Sequence, residues 1–282
     1  MTQATAPPPA KPLPPPSKAP PPAANGAPKR ALGVGGGVKA ACQIVVTYGP
    51  GGSGKSTLCS LVKELGLRPL FVDIERGTGA LDVLRVEPDT FQEVRDVLHD
   101  DAMWANHDVA VVDSLTKLEE ITLRHVLDTI KTEGGKTATS IESYGFGKGF
   151  SYVYEAFLQV LGDLDRLQRM GKHILCTAHE CTASVPNPSG EDFIRYEPRL
   201  QSPKSGKASI RHKVKEWCDH LLFIGYDVAV SEEGKGLGGG TRTIYPCEMP
   251  THWAKTRKVG LRDNVIYTEG STEIWKKLFN KE

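Results

Sequence analysis

The chain has 282 residues, 39% of them hydrophobic, with 35 Lys and Arg against 34 Asp and Glu for a formal net charge of +1. This length suits one α/β domain with a tail, and the near-balance of charge excludes a uniformly basic nucleic-acid coat. No apolar run approaches the ~20 residues of a bilayer span and none near the start has the ~7–15 residues of a secretory signal, so no membrane partner and a cytoplasmic location are expected.

Eleven of the 20 prolines fall within residues 1–28, and residues 1–41 hold five basic side chains and no acid. Such a composition does not bury a core, so residues 1–38 are expected to be a disordered, partly polyproline II tail and residues 39–282 the folded domain. The tail reads as a spacing arm or as a docking arm for a partner or phosphate backbone. Six cysteines without C-x-x-C pairs fit reduced thiols and an intracellular setting.

From Cys42 the grammar is α/β. Gln43–Tyr48 predicts a buried strand, Leu58–Leu65 a helix ended by Gly66, Pro69–Ile74 a second strand and Asp89–Met103 a helix that Thr90 caps. Asp108–Asp113 predicts a third strand, followed by a helix over Leu115–Lys131, an irregular stretch Thr132–Gly149 and a helix over Tyr152–Met170. His173–Ala178 and Asp219–Tyr226 give the fourth and fifth strands. Alternation of this kind predicts a mostly parallel sheet flanked by helices. Asp227–Val230 and Thr241–Tyr245 about a Gly-rich turn predict a C-terminal antiparallel hairpin at the sheet edge, with a last helix over Glu273–Phe279.

Gly49-Pro50-Gly51-Gly52-Ser53-Gly54-Lys55-Ser56 fits G-x-x-x-x-G-K-[ST] between a strand and a helix. The glycines let backbone N–H groups turn inward around a phosphate, and the helix start adds its positive dipole end. Lys55 is expected to reach the β- and γ-phosphates and Ser56 to ligate Mg2+, with Thr57 continuing the helix start. ATP and Mg2+ are therefore the expected cofactors. Asp113, at the carboxyl end of an apolar strand, is the expected second metal carboxylate, although it also suits a helix cap, a task open to Ser114. Asp73 and Glu75 end the second strand. Glu75 lies furthest out and is the expected water-activating group, whereas Asp73 reads equally as a turn former.

The P-loop, the run Leu70–Glu75, and Val111-Val112-Asp113-Ser114-Leu115 together resemble the core of RecA-type recombinases, in particular the phage RecA-like ATPases of single-strand annealing and recombination, over roughly residues 42–270. The resemblance implies that Glu75 is the catalytic glutamate and that His179, after the fourth strand, senses the γ-phosphate. A surface histidine without a role is the alternative. Cys176, His179 and Cys181 lack a fourth ligand at zinc spacing. The resemblance also implies mobile loops facing single-stranded DNA. One is Thr132–Gly149 with the Lys131 that precedes it, carrying Lys136, Tyr144, Phe146 and Lys148. The other is Glu180–Ala208 with the basic run after it, where Phe193 and Tyr196 offer stacking faces and Lys204, Lys207, Arg211, Lys213 and Lys215 offer charge. Solvated lysines are the plainer reading. Lys255 and Arg257 resemble cations that reach a neighbour's ATP, which implies a homo-oligomer, with a single-strand-binding protein as a further partner.

The function expected is thus slow, DNA-stimulated ATP hydrolysis coupled to single-stranded DNA binding. With a proline-rich tail before Cys42 where that family has a folded filament-linking segment, and no separate C-terminal DNA-binding domain expected, annealing assistance or single-strand binding is expected rather than filament formation and full strand exchange. A small-molecule phosphotransferase and a nucleotide-gated interaction protein with little turnover are the rivals.

Overall fold

The computed structural model describes residues 42–204, 206–230 and 236–280, and the tail assigned to residues 1–38 lies outside them. Four strands follow the predicted alternation, β1 (Ile44–Gly49), β2 (Pro69–Asp73), β4 (Val109–Asp113) and β5 (His173–Val185), and a short strand that was not predicted, β3 (Leu84–Val86), pairs with β2 at the edge. After β5 come β6 (Phe193–Pro198), β7 (His220–Val230), β8 (Gly236–Tyr245), β9 (Lys255–Thr256) and β10 (Val265–Tyr267). The main sheet runs β10-β8-β7-β1-β5-β4-β2-β3. From β7 to β3 its pairs are parallel, and β8 and β10 add antiparallel strands at one edge.

Every residue of β1, β2 and β4 is buried, as their unbroken apolar sequence requires when helices cover both faces. The period-2 alternation divides the core. Val46, Tyr48, Val72, Val112 and Cys176 face one layer, which holds α2 (Phe91–His99), α4 (Leu115–Thr129), α5 (Lys148–Arg169) and α6 (Ile210–Trp217). Val45, Phe71, Val111, Leu175 and Leu222 face the other, with α1 (Lys55–Ser60) and α7 (Glu273–Phe279). No helix among the described residues is long and apolar enough to cross a membrane.

Three local expectations are corrected. The helix read over Asp89–Met103 is two, because the Asp100 side chain accepts from Met103 N at 3.0 Å and starts α3 (Asp101–Trp104) afresh. Its predicted cap is present, with Thr90 and Glu93 forming a reciprocal capping box. The Glu180–Ala208 segment is not one long loop. β5 continues to Val185 and returns as β6 in antiparallel register, Glu180 opposite Pro198 and Val185 opposite Phe193, and α6 follows at Ile210. Finally, glycines assigned to a hairpin turn lie in β8, where Gly236 pairs with Val230 and Gly238 with Val228.

Candidate nucleotide site

The loop between β1 and α1 needs its glycines for steric reasons. Gly52 and Gly54 adopt φ of 76° and 88°, in the left-handed region that glycine enters without strain. A Cβ on Gly54 would lie 2.7 Å from Arg242 Nη1, and one on Gly49 would lie 2.1 Å from the Ile224 carbonyl oxygen. Lys55 is buried and donates from Nζ to the carbonyls of Gly49 and Pro50 at 2.9 and 2.8 Å. Burial pulls its pKa down, opposed by the carboxylates of Glu180, Asp113 and Glu75 in that order. The Ser53 hydroxyl is buried in the loop with no partner, a polar atom placed for a ligand to satisfy.

The acids converge on this loop from neighbouring strand ends, where ligands bind in open α/β sheets. Asp113 Oδ2 accepts from Ser56 Oγ at 2.5 Å, and its Oδ1 accepts from Thr177 Oγ1. Burial raises the Asp113 carboxyl, and the two hydroxyl donors oppose that rise. The cap of α4 is Ser114, whose Oγ accepts from Lys117 N at 3.2 Å and donates to Glu75 Oε1. Glu75 Oε1 also meets His179 Nε2 at 3.0 Å, while its backbone N–H is held by the Asp113 carbonyl at 3.1 Å. His179 comes within reach because β5 lies between β1 and β4, with His179 in register with Gly49. Lys55, Ser56, Asp113, Glu75 and His179 therefore share one site. Asp73 is a turn former: buried, it accepts from the N–H groups of Gly77 and Thr78 at 3.1 and 3.0 Å and from Thr78 Oγ1 at 2.5 Å.

Several expected residues are placed elsewhere. Lys255 Nζ donates to the carbonyls of Lys215, Glu216 and Cys218 at the end of α6, and Arg257 pairs with Asp219 at 2.7 Å. Both sit beside the first residues of β7, at the end of the sheet away from the loop. Arg211 is held by Glu197 at 2.7 Å and by the Leu200 carbonyl, while Lys215 pairs with Glu248 at 2.7 Å and lies over the Trp253 ring. Tyr196 stacks on Phe223 yet stays partly exposed, Phe193 and Lys213 are half-buried, and Lys204 and Lys207 are exposed.

Two groups escaped the sequence reading. Glu180 follows His179, and its Oε2 is buried without a hydrogen-bond partner; burial raises its pKa against the pull of Lys55 and His179. Its adjacency to His179 was the available signal. Tyr226, Arg242 and Tyr267 touch the loop from behind, and no local pattern marks them.

A family model described as an AAA domain, AAA_24, matches residues 42–258. The chain belongs to this AAA-domain family. It is accordingly a P-loop NTPase, and Gly49–Ser56 is the stretch of it that fits the phosphate-loop motif. The match stops short of Tyr267 and of α7, both of which pack on that site. Among solved structures, this AAA-domain protein is similar to the flagellar accessory protein FlaH from Methanocaldococcus jannaschii, at 11% identity and a TM-score of 0.39 over 81% of this chain and 85% of that one. Comparison with curated proteins gives no match.

Proposed function

We propose that this AAA-domain protein is a magnesium-dependent RecA-like ATPase that couples its nucleotide state to single-stranded DNA, in the recombination or annealing role that the sequence resemblance implies. The observation that carries hydrolysis is the setting of Glu75. Its carboxylate is fixed by Ser114 and His179 one strand away from Asp113, at the end of the sheet where the phosphate loop opens. In that position it accepts a proton from a water aligned on the terminal phosphate. Lys55 exchanges its loop carbonyls for phosphate oxygens, and His179 holds the Glu75 carboxylate in place. The Ser56 hydroxyl and Asp113 carboxylate, hard oxygens already 2.5 Å apart, fit a magnesium ion, which neutralises phosphate charge when bound.

Coupling is supported by α4, whose first two turns touch both ends of the molecule's business. Ser114 contacts Glu75, Thr116 Oγ1 accepts from His179 N at 3.0 Å, and Glu119 accepts from Gln201 N at 2.7 Å. Gln201 begins the stretch that carries exposed Lys204 and Lys207. Phe146, fully exposed between two glycines in the first candidate loop, adds an aromatic face of the kind on which unpaired bases stack. The supported DNA surface is narrower than the basic run suggests, since Arg211 and Lys215 are held within the chain.

ATP turnover with and without single-stranded DNA tests this reading, with Lys55→Ala and Glu75→Gln beside the native chain. Lys55→Ala should lose nucleotide binding; Glu75→Gln should keep it and lose turnover by about 100-fold or more. DNA should stimulate the native chain. Turnover indifferent to DNA would overturn the coupling, and full activity in Glu75→Gln would overturn the assignment of the base.

A further inference from the structure

We propose that Tyr226, Arg242 and Tyr267 form a three-donor clamp that sets the phosphate-binding amides of the loop from its outer side. The proposal rests on the nucleotide-site reading above and adds positioning residues to it. Three consecutive loop carbonyls each receive one side-chain donor: Gly52 from Tyr226 Oη at 3.1 Å, Ser53 from Arg242 Nη1 at 3.1 Å, and Gly54 from Tyr267 Oη at 3.0 Å. The donors come from three adjacent strands and stand in one row, since Arg242 is the register partner of Tyr226 on β7 and of Tyr267 on β10. A row of side chains across the sheet thus meets a row of carbonyls along the loop.

Planarity of the peptide gives this contact its chemical meaning. In a trans peptide the carbonyl of one residue and the N–H of the next point in opposite directions. The Ser53 N–H is already held inside the loop by the Pro50 carbonyl at 3.2 Å, so fixing the carbonyls of Ser53 and Gly54 on the clamp leaves the N–H groups of Gly54 and Lys55 turned to the opposite side, away from it. Preset donors of this kind bind an anion without first losing backbone freedom. The clamp is itself stiff: the Arg242 guanidinium lies 4.6 Å from the Tyr267 ring centroid, and Tyr267 is buried. Burial also pushes the Tyr267 hydroxyl up to about 12, so it stays a donor throughout the physiological range. Glycine at position 54 completes the fit, since a side chain there would occupy the space of Arg242 and Tyr267.

The test is the affinity of the full chain for Mg-ATP, Mg-ADP, inorganic pyrophosphate and AMP, with the nucleotide-free melting temperature measured alongside. Tyr226→Phe and Tyr267→Phe each remove one hydroxyl. Each should weaken ATP, ADP and pyrophosphate by about 3–10-fold, and the double variant by more, because a lost hydrogen bond shifts an equilibrium on that scale. AMP, which has no β-phosphate, should bind as to the native chain; the KM for ATP should rise while kcat changes less than about two-fold. Tyr226 is 41% exposed, so Tyr226→Phe keeps the test available if Tyr267→Phe does not fold. Unchanged pyrophosphate and ADP affinity in a folded variant overturns the clamp, as does weakening of AMP in parallel. Failure of the native chain to bind Mg-ADP is a separate outcome, and it overturns the parent reading instead.

Discussion

Glu119 stands in the second turn of α4 and accepts from Gln201 N, with Leu123, Phe150, Val153 and Pro203 around it in a cavity of about 470 Å³. Burial raises its carboxyl to about 7, against the opposing effects of the Gln201 N–H and the Arg211 charge. The direction of the resulting pH dependence is fixed by linkage. Between the unfolded carboxyl value of about 4.3 and the folded value, the native state retains a proton that the unfolded chain releases, so stability falls as pH rises through that window. His220 acts in the opposite sense. Burial lowers it to about 4, where its ring nitrogens meet Thr256 and Gln43, and its contribution is lost as pH falls from about 6.5 towards 4. The comparison that isolates Glu119 is therefore urea midpoints at pH 5 and pH 8 for the native chain and Glu119→Gln. The variant should gain on the native chain at pH 8 relative to pH 5; an equal difference at both would show that the carboxyl titrates normally.

Helix α7 shows how an element distant in sequence supports the site. Trp275 is fully buried, and its indole N–H donates to the Leu58 carbonyl in α1 at 2.7 Å, directly behind the phosphate loop. Replacing it with Phe removes that hydrogen bond and leaves unfilled volume, which should cost about 1–3 kcal/mol. For a domain of this size that is roughly 2–10 °C in melting temperature. Loss of nucleotide affinity without loss of stability would contradict a packing role. The elements legible beforehand were those with local signals: the glycine-rich turn after β1, the Thr90 cap, and α7 over its observed residues. The β5–β6 hairpin was hidden because Pro186 and Pro188 punctuate its connection and its polar strand residues declare themselves only when paired. The break at Asp100 was hidden by an amphipathic pattern that continues through it.

At the scale of the whole molecule, the site is an outcome of strand order. Residues from the ends of β1, β2, β4 and β5 meet because β5 inserts between β1 and β4. The G-x-x-x-x-G-K-[ST] motif made Lys55 and Ser56 legible, and the rule that ligands gather at carboxyl ends of parallel strands did the same for Asp113 and Glu75. The order of the strands was not legible, which is why the role of His179 rested on resemblance. The loop is braced by β7, β8 and β10, and the helix behind it by α7, so bound nucleotide should stabilise the entire domain. At 100 times its dissociation constant, Mg-ADP should contribute about 2.7 kcal/mol, or roughly 5–10 °C in melting temperature, with no shift in Lys55→Ala.

The outer braces also impose an order in time. Tyr267 lies 213 residues downstream of the carbonyl it holds, and Trp275 lies 217 residues beyond its partner. At translation rates of ~5–20 residues per second, the phosphate loop emerges on the order of 10–40 s before the residues that rigidify it. A half-made chain thus carries the complete G-x-x-x-x-G-K-S sequence while its amides are still unset. The loop and the helix after it receive these outer supports only once β10 and α7 have folded back onto them.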